Sequence, residues 1–220
     1  MIYKKIKIAP SIIAIDYNDE EKLNRAIDEL KEAKVALLHL DVMDGKFVQN
    51  QTFDYKFVEQ MKNTTDFILD VHLMIEKPEE AILKYIDAGA DILTIHYEST
   101  DKVEEVLKQI KAKGVLAGLS INPETDINKI APFLTKGLVD VVLLMSVNPG
   151  ACGQKFNPIV YEKLIWMEKN YPKIDVQVDG GVNLSNASML IRAGAKILVS
   201  GSAIFGSGDV VKTIKEFRKA

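Results

Sequence analysis

Eight short runs rich in β-branched and aliphatic residues alternate with longer charged segments along this chain, at positions 6–13, 35–42, 67–73, 92–97, 115–121, 139–146, 174–179 and 196–200. This alternation limits the possible folds more than any other feature, because an apolar run buried on both faces needs a helix layer to cover it. The intervening segments supply that layer: "EEKLNRAIDELKEA", "PEEAILKYIDAGA" and "VEEVLKQIKAKG" carry acidic first turns and apolar residues at helical spacing, the last two running into glycine. Eight strand–helix units in 220 residues, about 27 residues each, match a closed (β/α)8 barrel. An open doubly wound sheet is the alternative, but the G-x-G-x-x-G expected after its first strand is absent. A weak repeat, "AGADILTIH" (88–96) and "AGAKILVSG" (193–201), falls in the fourth and eighth units. No linker, low-complexity tract or shift of composition interrupts the pattern, so residues 1–220 are expected to form a single α/β domain, a (β/α)8 TIM barrel.

Composition removes several classes of function. With 47% hydrophobic residues and a formal net charge of −3, the chain can bury one sizeable core and carries no basic excess for nucleic acid. Lys4, Lys5 and Lys7 break up the apolar residues at the start, so no signal-type apolar region is read there, and no stretch is long enough to span a membrane. A lone cysteine, Cys152, excludes an intramolecular disulfide and agrees with a reducing, cytoplasmic setting.

The second run contradicts the apolar rule. "LLHLDVMDGKFV" (37–48) places His39 and Asp41 inside a strand that should be Val, Ile and Leu, and such groups are costly there unless paired, hydrogen-bonded or metal-bound. Separated by two, they share one side of the strand, while Leu38, Leu40 and Val42 face the helices. His72 ends the third run in "LDVHLM" and Asp179 the seventh in "QVDGGV", all near the strand ends where barrel active sites lie. Taken singly, each reads as a polar strand end bonded to a loop. Taken together, two imidazoles and two carboxylates at one rim suit a single Zn2+, Mn2+ or Fe2+ ion. His96, in "LTIHYE", reads as a wall residue or as one more ligand. Asp70, two before His72, either orients that ligand or makes a buried structural hydrogen bond.

Glycines cluster elsewhere on the same rim, in "NPGACGQKF" (148–156), "DGGV" (179–182) and "SGSAIFG" (200–206). Loops after the seventh and eighth strands often bind phosphate in this fold, and glycine lets backbone N–H groups approach an anion closely. Gly180, Gly181, Gly201 and Ser202 occupy those places, with Gly150 and Gly153 in the loop after the sixth strand. Met43, Met74 and Met145 follow three strand ends and are read as pocket lining.

Together, "APSI", "HLDVMDGKFV", "DVHLM", the His96 strand, "NPGACGQKF", "VDGGV" and "GSAIF" stand in an order that resembles the ribulose-phosphate 3-epimerase family over nearly the whole chain. The resemblance implies a metal-dependent enzyme that inverts carbon 3 of a phosphorylated ketose, interconverting D-ribulose 5-phosphate and D-xylulose 5-phosphate. It implies His39, Asp41, His72 and Asp179 as ligands of one divalent ion (Zn2+, Fe2+, Mn2+ or Co2+) and Asp41 and Asp179 as the proton-transfer pair. It further implies Ser11 and His72 as substrate contacts, Gly180, Gly181, Gly201 and Ser202 as phosphate contacts, and a homo-oligomer. Inversion by proton transfer asks for one acid/base on each face of a planar intermediate, which two carboxylates on different strands supply. Gln49 and Gln177 replace a usual proline and glutamate, and Ala151 and Cys152 replace a bulky lid residue and a glycine. That altered loop keeps D-allulose-6-phosphate 3-epimerase as the alternative. A sugar-phosphate-binding barrel without catalysis is disfavoured because no member of the His/Asp set is missing. Schiff-base aldol cleavage is disfavoured because no lysine stands at a strand end.

Overall fold

A computed structural model describes residues 6–150 and 154–220. Eight parallel strands form one sheet in the order β1-β8-β7-β6-β5-β4-β3-β2. They are β1 (Lys7–Pro10), β2 (Leu37–Met43), β3 (Ile68–Met74), β4 (Ile92–His96), β5 (Leu116–Ile121), β6 (Val141–Met145), β7 (Asp175–Asp179) and β8 (Ile197–Ser200). A parallel bridge between Ser11 and His39 joins the two ends of the sheet and closes the barrel. The expected first strand, 6–13, is too long: β1 stops at Pro10, and Ile12–Ala14 form a 3-10 turn. Proline has no N–H to extend a ladder, and Ala14 and Ile15 donate back to Ser11 and Ile12. Of the isoleucines that made this stretch read as strand, Ile12 is fully buried in the core under the helices and Ile13 lines the cavity at the strand ends.

Helices follow the strands: α1 (Glu20–Glu32), α2 (Tyr55–Thr64), α3 (Ile82–Asp87), α4 (Val103–Ala112), α5 (Ala131–Thr135), α6 (Ile159–Asn170), α7 (Leu184–Ala193), α8 (Ser202–Phe205) and α9 (Val210–Phe217). Local chemistry sets their ends. Asp19 caps α1 by accepting from Lys22 N, with Glu20 and Glu21 in the first turn and Lys31 in the last. Asn183 and Asn186 form a capping box on α7, which stops at Gly194 in the left-handed region at φ 118°. Each helix buries one stripe, such as Leu23, Ala26, Ile27 and Leu30 on α1 or Val103, Val106, Leu107 and Ile110 on α4. These stripes meet the outward residues of the strands, among them Leu38, Leu40, Leu69, Val71 and Leu73, in one continuous core.

The inward residues form two layers. Ala9, Leu37, Ile92, Val141, Ile197 and Val199 make an apolar plug near the N-terminal ends of the strands. Above it the interior turns polar: His39, Asp70, His72, Thr94, His96, Ser120 and Gln177 are buried there. So dense an interior leaves no room on β5, where a Cβ on Gly118 would lie 2.0 Å from Thr94 Oγ1. Replacing Gly118 by Val is expected to cost about 1–3 kcal/mol, the usual range for overpacking, read as a lower urea midpoint. Unchanged stability would contradict a filled barrel interior.

Candidate functional site

Strand register builds the polar layer. β2 and β3 pair so that His39 lies beside Asp70 and Asp41 beside His72. His39 Nδ1 is 2.7 Å from Asp70 Oδ2. His72 Nδ1 is 3.1 Å from Asp41 Oδ1, and Ser11 Oγ donates to the other oxygen of Asp41 at 2.5 Å. Asp179, at the end of β7, completes a group of four whose ligand atoms all lie within 4.8 Å of one another. His39 Nε2 faces Asp41 Oδ1 at 3.3 Å, buried and without a hydrogen bond. A bare buried nitrogen is costly, and two imidazoles with two carboxylates form a donor set suited to a divalent cation. The residues therefore fit a metal ion, and this group could hold one.

Burial and mutual charge push the two carboxylates apart. Burial raises Asp41, but His39 and His72 outweigh it and hold the carboxyl well below its usual range. Asp179 is pushed up to about 7, first by burial and then by the negative charge of Asp41. In the metal-free site these shifts leave Asp41 ionised near neutral pH and Asp179 able to carry a proton. Burial lowers His39, yet Asp41 and Asp70 outweigh it and raise this imidazole well above its ordinary value. Burial keeps His72 below its ordinary value and brings His96 down to about 4.

A second row of side chains surrounds the four. Asp70 orients His39, and Gln177 donates its amide to the same Asp70 oxygen, so Gln177 touches the cluster through Asp70. His96 Nε2 is 2.8 Å from His72 Nε2, and Phe47 covers the His96 ring at 5.0 Å between centroids. His96 Nδ1 faces Glu98 Oε2 at 3.3 Å. Glu98 was missed from the sequence, although an acid two residues after a rim histidine, in "HYE", was a readable signal.

Above the cluster opens a cavity of about 400 Å3. It is lined by Ser11, Asp41, Asp179, Met43, Met74 and Met145 and by Gly150, Gly180, Gly181, Gly201 and Ser202. Val147, Phe156 and Asn183 line it too, unforeseen in the sequence. His39 and His72 are fully buried and absent from this lining, so His72 meets the cavity through Asp41. Gly153 lies outside the described residues, as do Ala151 and Cys152.

The glycine side has its own logic. Gly180 and Gly181 adopt φ of 104° and 62°. Ser146 Oγ donates to the Gly180 carbonyl, and Asn186 Nδ2 donates to that of Gly181 at 3.0 Å. A trans peptide turns its N–H away from its carbonyl, so pinning these carbonyls frees the N–H groups of Gly181 and Val182 to face the other way. Gly201 is small for a different reason: a Cβ there would lie 2.9 Å from Ala14 Cβ and 3.2 Å from the Ser11 carbonyl.

Known proteins resemble the chain closely. The model of the ribulose-phosphate 3 epimerase family matches residues 7–205. Ribulose-phosphate 3-epimerase of Bacillus subtilis (strain 168) is 41% identical over 218 residues, covering 97% of this chain and 98% of that protein. The enzyme of the same name from Schizosaccharomyces pombe is 37% identical over 217 residues, covering 97% and 93%. A solved structure of 3-hexulose-6-phosphate synthase from Salmonella typhimurium shares the fold at a TM-score of 0.73 and 15% identity, covering 97% of each chain. The family match over 7–205 and the near-full-length identity to these relatives place the chain in the ribulose-phosphate 3-epimerase family.

Proposed function

We propose that the chain interconverts D-ribulose 5-phosphate and D-xylulose 5-phosphate in the pentose phosphate pathway, with Asp41 and Asp179 transferring the proton at C3. The observation that carries this reading is the pair itself: a buried carboxylate from β2 and a partly buried one from β7, both lining one cavity beside His39 and His72. One carboxylate takes the C3 proton and the C–H electron pair moves into the C2–C3 bond. The resulting enediolate is planar, so the second carboxylate returns a proton to the opposite face and inverts the centre. Ser11 holds one Asp41 oxygen by its 2.5 Å hydrogen bond and keeps the carboxylate oriented. Met43, Met74 and Met145 exclude water around the reacting carbon, which strengthens each electrostatic contact. His39, Asp41, His72 and Asp179 would hold one divalent ion (Zn2+, Fe2+, Mn2+ or Co2+), which supplies Lewis-acid stabilisation of the charge developing on the C2 oxygen.

The phosphate is assigned to Gly180, Gly181, Gly201 and Ser202, which line the same cavity as the carboxylates. Gly150, and Gly153 beside it in sequence, belong to the loop assigned to cover the sugar. The whole of 1–220 is read as one domain and the active form as a homo-oligomer. Ile165 and Met189, which leave 59% and 55% of their surface exposed on α6 and α7, favour association between copies, and light scattering that returned only monomer would remove that reading. No helix among the described residues is long and apolar enough to cross a membrane. The single cysteine favours a reducing, cytoplasmic compartment.

Two outcomes are expected. The purified protein should hold one divalent ion per chain by elemental analysis and lose turnover on chelation; full activity in rigorously chelated buffer would refute the metal assignment. In competition between both sugars in one tube, kcat/KM for D-ribulose 5-phosphate should exceed that for D-allulose 6-phosphate by about tenfold, ~1.4 kcal/mol in transition-state binding. A clear preference for the hexulose phosphate would move the chain to the alternative substrate.

A further inference from the structure

The chain has three histidines, and all three are buried on adjacent strands β2, β3 and β4. The His39 and His72 rings lie 5.4 Å apart and the His72 and His96 rings 4.9 Å apart, the latter two with their planes 25° apart. Between His72 and His96 the contact is Nε2 to Nε2 at 2.8 Å. Neutral imidazole carries one N–H and one lone pair, so this contact holds a single proton, and the two rings alone do not decide which nitrogen owns it.

A carboxylate stands at each end of this relay, Asp41 3.1 Å from His72 Nδ1 and Glu98 3.3 Å from His96 Nδ1; a cation held by Asp41 and His72 would take the lone pair at the first end and leave the second to set the direction. There the Glu98 carboxylate only accepts. Glu98 is itself fixed, because its other oxygen accepts from Asn122 N at 2.8 Å and from Thr125 Oγ1. His96 then donates from Nδ1 and keeps a lone pair on Nε2. His72 must donate from Nε2, which leaves its Nδ1 bare on the side of Asp41, 3.1 Å away. The opposite sense would put a proton on His72 Nδ1, close the lone pair toward Asp41, and set a lone pair of His96 against the Glu98 carboxylate.

We propose that Glu98 and His96 are positioning residues that fix the direction of this hydrogen-bond chain, so that His72 presents a bare Nδ1 to a divalent cation. The inference rests on reading His72 as one of the four ligands. It extends the working site beyond those four, through β4, to the loop after β5 that holds Glu98 in place. His39 receives the matching service from Asp70 on its own Nδ1, so each ligand histidine has a carboxylate fixing its remaining nitrogen, directly in one case and through a second imidazole in the other.

The test measures Zn2+ affinity by chelator competition, together with the nitrogen chemical shifts of the Zn2+-loaded protein, in which three histidines are readily assigned. Glu98→Gln, whose amide can turn an N–H toward His96, should weaken Zn2+ binding by about 10- to 100-fold, the usual effect of losing such a partner. His96→Leu, which fills similar space without an acceptor, should do the same and serves if Glu98→Gln fails to fold. Thr125→Val removes one of the two partners that hold Glu98 while Asn122 N keeps the other, and should weaken Zn2+ binding by less than Glu98→Gln does. In loaded wild type, His96 should be protonated on Nδ1 alone. Wild-type Zn2+ affinity in folded Glu98→Gln and His96→Leu, or a His96 protonated on Nε2, would overturn this proposal and leave the four-ligand reading intact. A wild-type protein that takes up no ion would overturn both.

Discussion

The buried carboxylate of Asp41 is the charge around which the rest of the site is arranged. Its Oδ1 lies 3.3 Å from His39 Nε2 and 3.1 Å from His72 Nδ1, and its Oδ2 accepts from Ser11 at 2.5 Å. Such a group is tolerable inside a barrel only because its neighbours answer it. Register on β2 and β3 brings His72 beside it, and closure of the sheet brings Ser11, whose bridge to His39 joins the two ends of the barrel. Architecture and chemistry meet at one contact. Asp179 is held higher, first by desolvation and then by the charge of Asp41, so two residues of one type differ in the metal-free site.

This arrangement needs rigid support. The apolar plug of Ala9, Leu37, Ile92, Val141, Ile197 and Val199 fills the lower interior, so the polar side chains rest on packed aliphatic groups. Above them, Met43 and Met74 pack with Val48 at the cavity mouth. The loop after β2 crosses that mouth, where Asn50 Nδ2 donates to the Gly150 carbonyl at 2.6 Å. Charge is thus confined to one layer between an apolar base and an apolar rim, where its effective strength is greatest.

Much of this was legible in the sequence because it depends on short-range periodicity. Strands and helices differ in period, so eight units could be counted, and the period of two that puts His39 and Asp41 on one face also carries Met43 to the cavity. The first strand reads too long because Ile12, Ile13 and Ile15 carry the same apolar signal in a turn as in a strand, and only Pro10, which has no N–H to donate, marks the end. Partners set by distant pairing were harder. Asp70 stayed ambiguous between orienting a ligand and a structural bond, since His39 is 31 residues away. Glu98 stands only two residues from His96, but the loop that fixes its carboxylate lies 24 to 27 residues downstream and leaves no local trace. Gly201 was read for phosphate approach, whereas its contact with Ala14, a residue of the misread turn, already forbids a side chain.

The central claim is that Asp41 and Asp179 act on opposite faces of one intermediate. The most direct measurement incubates metal-loaded Asp179→Asn, with its metal content verified, in D2O with each pentulose 5-phosphate in turn and follows C3 by NMR. With one acid/base left, deuterium should enter C3 of only one epimer and its configuration should be retained, while the other epimer keeps its proton. Inversion of either sugar at a rate near that of the wild-type enzyme would contradict the account.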